Sequence, residues 1–250
     1  LTISDIVNAQ MRLYKKLGIK NAVAVVGGSM GGMQALCYAI EHPTFAKHYI
    51  PMATTAYTRP WAIALNKIAI EAIRHDPNFQ NGNYEKDDLK ARGLVGLAVG
   101  RMAGLIAYLS PNLFINKFGR DYVETDGLYE LFGRFEIEKY LEHNSYSFPK
   151  FFDPLSYLYI CKTINIFDAG RNKDKLEDSF LKIEGKLHLI AFKDDMLFFP
   201  NEMEEIRDIM IKIGKKEQVT FKLVDSSSGH DSFLVEVEKF EEHIKYILKD

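Results

Sequence analysis

The chain has 250 residues, 47% of them hydrophobic and 26% charged, with a net charge of −2. That length buries a large core and fits one domain with a sizeable insertion, while the near-neutral balance excludes a broad attraction to nucleic acid or to a membrane surface. Two cysteines, Cys37 and Cys161, exclude a disulfide framework, and no apolar run reaches the length of a membrane span.

Thr2-Ile3-Ser4-Asp5 reads as a helix start, with Thr2 or Ser4 as the cap. Ile6, Ala9, Leu13 and Leu17 continue at roughly helical spacing, and Gly18 closes the helix. The apolar run Ala22 to Val26 reads as a strand, and Gly27-Gly28-Ser29-Met30-Gly31-Gly32 stands directly behind it. A helix follows at 31–42 and ends at Pro43. Strand, sharp turn with a serine at its tip, then helix is the nucleophile-elbow arrangement, Gly-x-Ser-x-Gly. The flanking glycines are expected where strand and helix backbones nearly touch and a Cβ would clash. Ser29 is therefore the candidate covalent nucleophile, and the backbone N–H of Met30 the candidate oxyanion donor. The competing reading is a turn that merely packs tightly or cradles a phosphate. The segment lacks the Lys-Ser/Thr ending of a P-loop.

His48 to Ala53 reads as a second buried strand. From 59 to 180 the pattern turns helical: Trp61 to Arg74, Leu89 to Leu109, Pro111 to Phe118, Phe135 to Glu142, and Leu155 to Phe167. Asn78 to Asp88 is a polar loop, and Asp168 to Asp178 a charged connector. Strands then return at 186–192 and 219–224, with helices predicted at 201–213 and 233–248. Strand–helix units flanking a helical insertion imply a mostly parallel sheet with helices on both faces. The expected division is an α/β core of 1–58 with 181–250, and a helical cap of 59–180. Only four core strands are visible and one helix precedes the elbow strand. The chain is accordingly expected to be the C-terminal portion of a longer protein, its N-terminal strands missing and one sheet edge exposed.

Asp194-Asp195 follows the strand 186–192, and Gly229-His230-Asp231 follows the strand 219–224. Nucleophile, acid and histidine, in that order at strand ends, is the α/β-hydrolase arrangement. His230 would act as general base and then acid, and an aspartate would fix its tautomer. A lone loop histidine or a solvated aspartate pair carries no such meaning; the three in sequence do. The other histidines show no metal-ligand spacing, and no metal is expected.

The segment Gly27 to Leu36 resembles the elbow of the homoserine O-acetyltransferase family. Similar matches run through the chain: Thr2-Ile3-Ser4-Asp5; Asp76-Pro77-Asn78 with Gly82 and Tyr84; Arg101-Met102 with Tyr108-Leu109-Ser110; Arg134-Phe135-Glu136; Ser156-Tyr157-Leu158; Asp195-x-Leu197-Phe198; and Gly229-His230-Asp231-x-Phe233. The resemblance implies an α/β-hydrolase fold with a helical cap, and a homodimer formed through that cap. It implies ping-pong transfer of an acetyl group from acetyl-CoA, through an acyl-serine, to the hydroxyl of L-homoserine, a step of methionine biosynthesis. No bound cofactor is implied, since acetyl-CoA is a substrate. Carried over by position, Ser29 is the nucleophile, Asp195 the acid and His230 the base. Asp231, Arg101, Tyr108 and Arg134 are candidate substrate contacts. One position departs from the family: Ile70 stands where the first cap helix usually carries an arginine suited to a substrate carboxylate. Arg59, Arg101 or Arg134 are candidates to compensate. The alternative function is a serine esterase or thioesterase, or an acyltransferase with another acceptor, on the same triad. Expected partners are small molecules, with no nucleic acid and no membrane. No secretory signal is visible at Leu1, so the expected setting is cytoplasmic.

Overall fold

The computed structural model describes residues 1–85, 94–124, 129–171 and 173–249. The chain divides into two compact units, Leu1–Arg59 with Thr163–Asp250, and Pro60–Lys162.

The first unit holds a four-stranded parallel sheet in the order β1 (Ala22–Gly28), β2 (Ala46–Met52), β3 (Lys186–Phe192), β4 (Val219–Val224). Val26 pairs with Ile50, Met52 with Ile190, and Phe192 with Val224, which brings the C-terminal ends of all four strands to one edge. β2 and β3 are almost wholly buried, as near-continuous apolar runs in the middle of a parallel sheet should be. On one face Ile50, Met52, Ile190, Phe192 and Val224 pack with Phe240 and Ile247 from the C-terminal segment. β1 is an edge strand, with Val23 and Val26 exposed.

Helix α1 (Ile3–Lys16) is capped by Thr2, whose N–H and hydroxyl both engage Asp5 in a reciprocal capping box. Ser4 donates its hydroxyl to Glu41 instead. Helix α2 (Met30–Glu41) starts directly behind Ser29. The helix Pro200–Lys212 connects β3 to β4 and packs on both.

One expectation needs correction. The predicted last helix is broken into Ser232–Val235, a 3₁₀ turn at Val237–Lys239, and Glu241–Ile247. Glu236 interrupts it because its carboxylate turns back to accept from the Ser227 N–H at 3.1 Å. By compactness, the first unit takes in the chain from Thr163 onward. The reason lies in backbone bonds to the segment leaving β2: Thr58 N–H donates to Phe167, and Ala169 N–H to Ala56. Phe180 and Ile183, further along this segment, are fully buried.

In the second unit, α3 (Pro60–Arg74) packs against the helix Val95–Tyr108. The helix predicted from Leu89 is seen from Val95, and residues 89–93 lie outside the described residues, as do 86–88 of the predicted polar loop. A Cβ on Gly96 would stand 2.1 Å from the Ala72 carbonyl oxygen, and one on Gly100 2.9 Å from the Ala69 Cβ. Two glycines one turn apart thus let these helices touch backbone to backbone. Asp76 fastens the crossing by accepting the Gly96 N–H at 2.7 Å. Among the described residues no single helix is long and apolar enough to cross a membrane.

Candidate active site

Ser29 has φ 57° and ψ −122°, a backbone region that costs a non-glycine residue about 1–3 kcal/mol. Its neighbours impose the conformation. Its N–H donates to the Met52 carbonyl at 2.9 Å. Its carbonyl accepts from the Gly32 N–H, the Met33 N–H and, at 2.9 Å, the Thr54 hydroxyl. The side chain makes no capping bond to α2, so the hydroxyl is not spent on its own helix. Met30 is the first residue of that helix, where a backbone N–H has no intrahelical acceptor.

The glycines around the serine do different jobs. A Cβ on Gly27 would stand 2.2 Å from the Gly31 carbonyl oxygen, so there the strand and helix backbones do touch. A Cβ on Gly32 would meet the Thr54 side chain at 2.7 Å. A Cβ on Gly28 would meet the Phe233 ring at 2.4 Å. Gly31 departs from the expectation, because a Cβ there meets nothing within 4 Å. Its hydrogen matters less than its backbone, which forms the surface Gly27 packs on.

Asp195 lies in the turn after β3 and is 2% exposed. Its Oδ1 accepts from the N–H groups of Leu197 and Phe198 at 2.9 and 3.0 Å. Its Oδ2 lies 2.8 Å from His230 Nδ1. An ionised carboxylate only accepts, so Nδ1 carries the proton and Nε2 is left as the basic nitrogen. His230 sits in a short turn after β4 and is 3% exposed. Phe198 and Phe233 meet its ring edge-on, at centroid distances of 5.5 and 5.7 Å. Phe233 therefore touches both the backbone beside Ser29 and the imidazole. This brings the histidine, its carboxylate and the serine to one edge of the sheet, the carboxyl ends of parallel strands.

Asp231 follows His230 in the same turn. Arg59 is committed elsewhere: it is ion-paired with Glu205, lies 3.8 Å from Glu202 and stacks 4.5 Å over the Tyr57 ring. Arg101, Tyr108 and Arg134 belong to the helical unit. There Arg101 lies over the rings of Tyr108 and Phe148, and Arg134 pairs with Glu142 at 3.1 Å. Burial pushes the thiols of Cys37 and Cys161 up to about 12, which keeps both protonated and poorly nucleophilic. Three residues of this site escaped the sequence reading in any functional role: Thr54, Phe233 and Glu202. Only Glu202 has a local signal, being three residues beyond the helix cap Phe199.

The α/β-hydrolase fold family matches residues 1–237. A homoserine O-acetyltransferase from Nautilia profundicola is 55% identical over 249 residues, all of this chain and 67% of that protein. This chain belongs to the homoserine O-acetyltransferase family of α/β hydrolases. It spans about two thirds of the length of the curated relatives it matches. A crystal structure of homoserine O-acetyltransferase from Bacillus anthracis superimposes with a TM-score of 0.91 at 23% identity, over all of this chain and 66% of the other, and shares the fold. The structure of esterase E22 superimposes with a TM-score of 0.88 at 27% identity, over 99% of this chain and 67% of the other.

Proposed function

We propose that this chain carries the acyl-transfer chemistry of a homoserine O-acetyltransferase, with Ser29 as nucleophile, His230 as base and Asp195 as the orienting acid. The observation that carries the reading is the 2.8 Å His230–Asp195 bond at the edge where the strained Ser29 turn stands. His230 Nε2 takes the Ser29 proton as Oγ attacks the thioester carbonyl of acetyl-CoA. The oxyanion of the tetrahedral intermediate faces the Met30 N–H. Collapse expels the CoA thiolate, which receives the proton from His230, and leaves acetyl-Ser29. His230 then takes the proton of the homoserine hydroxyl, the new ester oxygen attacks the acetyl carbon, and Ser29 regains its proton as the product ester leaves. Asp231, Arg101, Tyr108 and Arg134 are the proposed substrate contacts, with Asp231 suited to the amine and the arginines to the carboxylate.

The setting proposed is cytoplasmic, in keeping with two buried free thiols. The assembly proposed is a homodimer through the helical unit, where Val95, Val99 and Ile106 form an exposed apolar stripe on one helix face.

Hydrolysis is the second reading, and the likeness to esterase E22 favours it. Water exceeds a dilute acceptor by roughly 10⁴-fold, so a transferase must favour the acceptor by about 5.5 kcal/mol. Ile70, in place of a cation, weakens the case for homoserine as that acceptor. One experiment separates the readings. Incubation with acetyl-CoA should add one acetyl group to Ser29 by mass spectrometry, and Ser29→Ala should abolish it. Homoserine should discharge the adduct far faster than buffer does. An adduct that survives Ser29→Ala overturns the nucleophile, and discharge indifferent to homoserine favours the esterase.

A further inference from the structure

Three consecutive backbone N–H groups follow Asp195, and each ends on a carboxylate. Those of Leu197 and Phe198 go to Asp195 Oδ1, and that of Phe199 goes to Glu202 Oε1 at 3.1 Å. The same short turn is thus gripped from both ends, at one end by the carboxylate that holds His230. Glu202 is 4% exposed. Its Oε2 has no hydrogen-bond partner among the described residues and lies 3.8 Å from Arg59 Nε, which has none either. Burial raises the Glu202 carboxyl above its ordinary range, against the opposing pull of Thr55, the Phe199 N–H and Arg59. A helix N-terminus can be capped from the surface without this cost, as Asp5 caps α1. Glu202 instead sits inside, with its charge next to that of Asp195, which works to raise it further.

Resting on the acyl-serine reading above, we propose that Glu202 is a positioning residue. By taking the Phe199 N–H it fixes the turn that aims Asp195 Oδ2 at His230 Nδ1. Phe198 lies within the same turn and against the imidazole ring, so a slackened turn disturbs His230 from two sides.

The test compares two neutral replacements. Glu202→Gln keeps an oxygen for the Phe199 N–H, and Glu202→Leu does not. Glu202→Ala, smaller and a strong helix former, carries the same expectation should the leucine variant fail to fold. The probe is p-nitrophenyl acetate, with the nitrophenolate burst and the Ser29 adduct mass followed from about pH 5 to about pH 9. The glutamine variant should acylate within about threefold of the natural protein. The leucine variant should fall about tenfold or more at its plateau, with little change in half-saturation. Its acid limb should also lie below that of the glutamine variant, because a misaimed Asp195 stabilises the imidazolium less. A role confined to capping would lower thermal stability and leave the acid limb in place, which overturns the proposal. So would leucine and glutamine variants that acylate alike. A natural protein that gains no acyl group on Ser29 overturns the underlying reading instead.

Discussion

At the scale of single residues, the tightest fit of a backbone against a side chain in the site is between Gly28 and Phe233. Gly28→Ala would drive a Cβ to 2.4 Å from the ring, and that ring lies edge-on to His230. We expect acylation of Ser29 to fall by about tenfold or more, since displacements of this kind disable positioned groups. Adding Phe233→Leu should restore part of the rate by making room. A double variant no faster than Gly28→Ala would show that the ring does not transmit the strain. Gly27→Ala has no such remedy, because its obstacle is the Gly31 carbonyl rather than a side chain. The glycine pattern was legible as an elbow, yet it could not say which glycine answers to which neighbour. Those neighbours are Gly31, Thr54 and Phe233, and the last two come from distant segments. The preference for Asp195 over Asp194 comes from the Asp-x-Leu-Phe match of the family resemblance. In the structure the two oxygens of Asp195 serve the turn and the histidine separately.

At the scale of elements, all four strands and most helices were legible from apolar runs and helical spacing. The broken C-terminal helix was not, because its cause is tertiary. Glu236 lies at φ −119° and ψ 41°, and its carboxylate serves the Ser227 N–H and pairs with Lys239. Burial works to raise this carboxyl, but Lys239, Ser228 and the Ser227 N–H outweigh it and hold it at about 2, below its ordinary 4.5. A carboxyl depressed in the fold stabilises the protein above its unfolded value and loses that contribution as pH falls towards its folded one. Discounted for the partly exposed Lys239, the contribution is about 1–2 kcal/mol at neutral pH. Glu236→Gln should therefore lower the Tm by about 2–8 °C at pH 7 in a domain of this size. The gap should close between about pH 4.5 and about pH 2. A gap that persists to the acid end, followed by circular dichroism, would place the effect in packing rather than charge. The crossing of α3 with the helix Val95–Tyr108 is legible only in hindsight: Gly96 and Gly100 read as weak helix formers until the Ala72 carbonyl and the Ala69 methyl are seen beside them.

At the scale of the molecule, one compact unit is inserted into the sequence of the other. Phe167 and Ala169, whose surroundings in sequence carry helical and charged patterns, are bonded to Thr58 and Ala56 of the first unit. The serine's backbone has a related dependence, with a consequence for how the molecule comes into being. Within the segment 22–41, Ser29 is held only through its carbonyl, by the Gly32 and Met33 N–H groups. Met52 and Thr54, from beyond that segment, complete the hold, and Ala53 between them is tied to β3 by its N–H bond to Ile190. Joining β2 to β3 requires the chain to close over the whole helical unit. Entropy charges for that only logarithmically, but non-local pairings of this kind form late and slowly. The Asp195–His230 bond needs a much shorter loop. On dilution from denaturant, helical circular dichroism should return first and labelling of Ser29 by a fluorophosphonate last. Labelling that keeps pace with the helical signal would mean the serine acquires its shape locally. A nascent chain of this protein would, on this account, stay chemically silent until its sheet is closed.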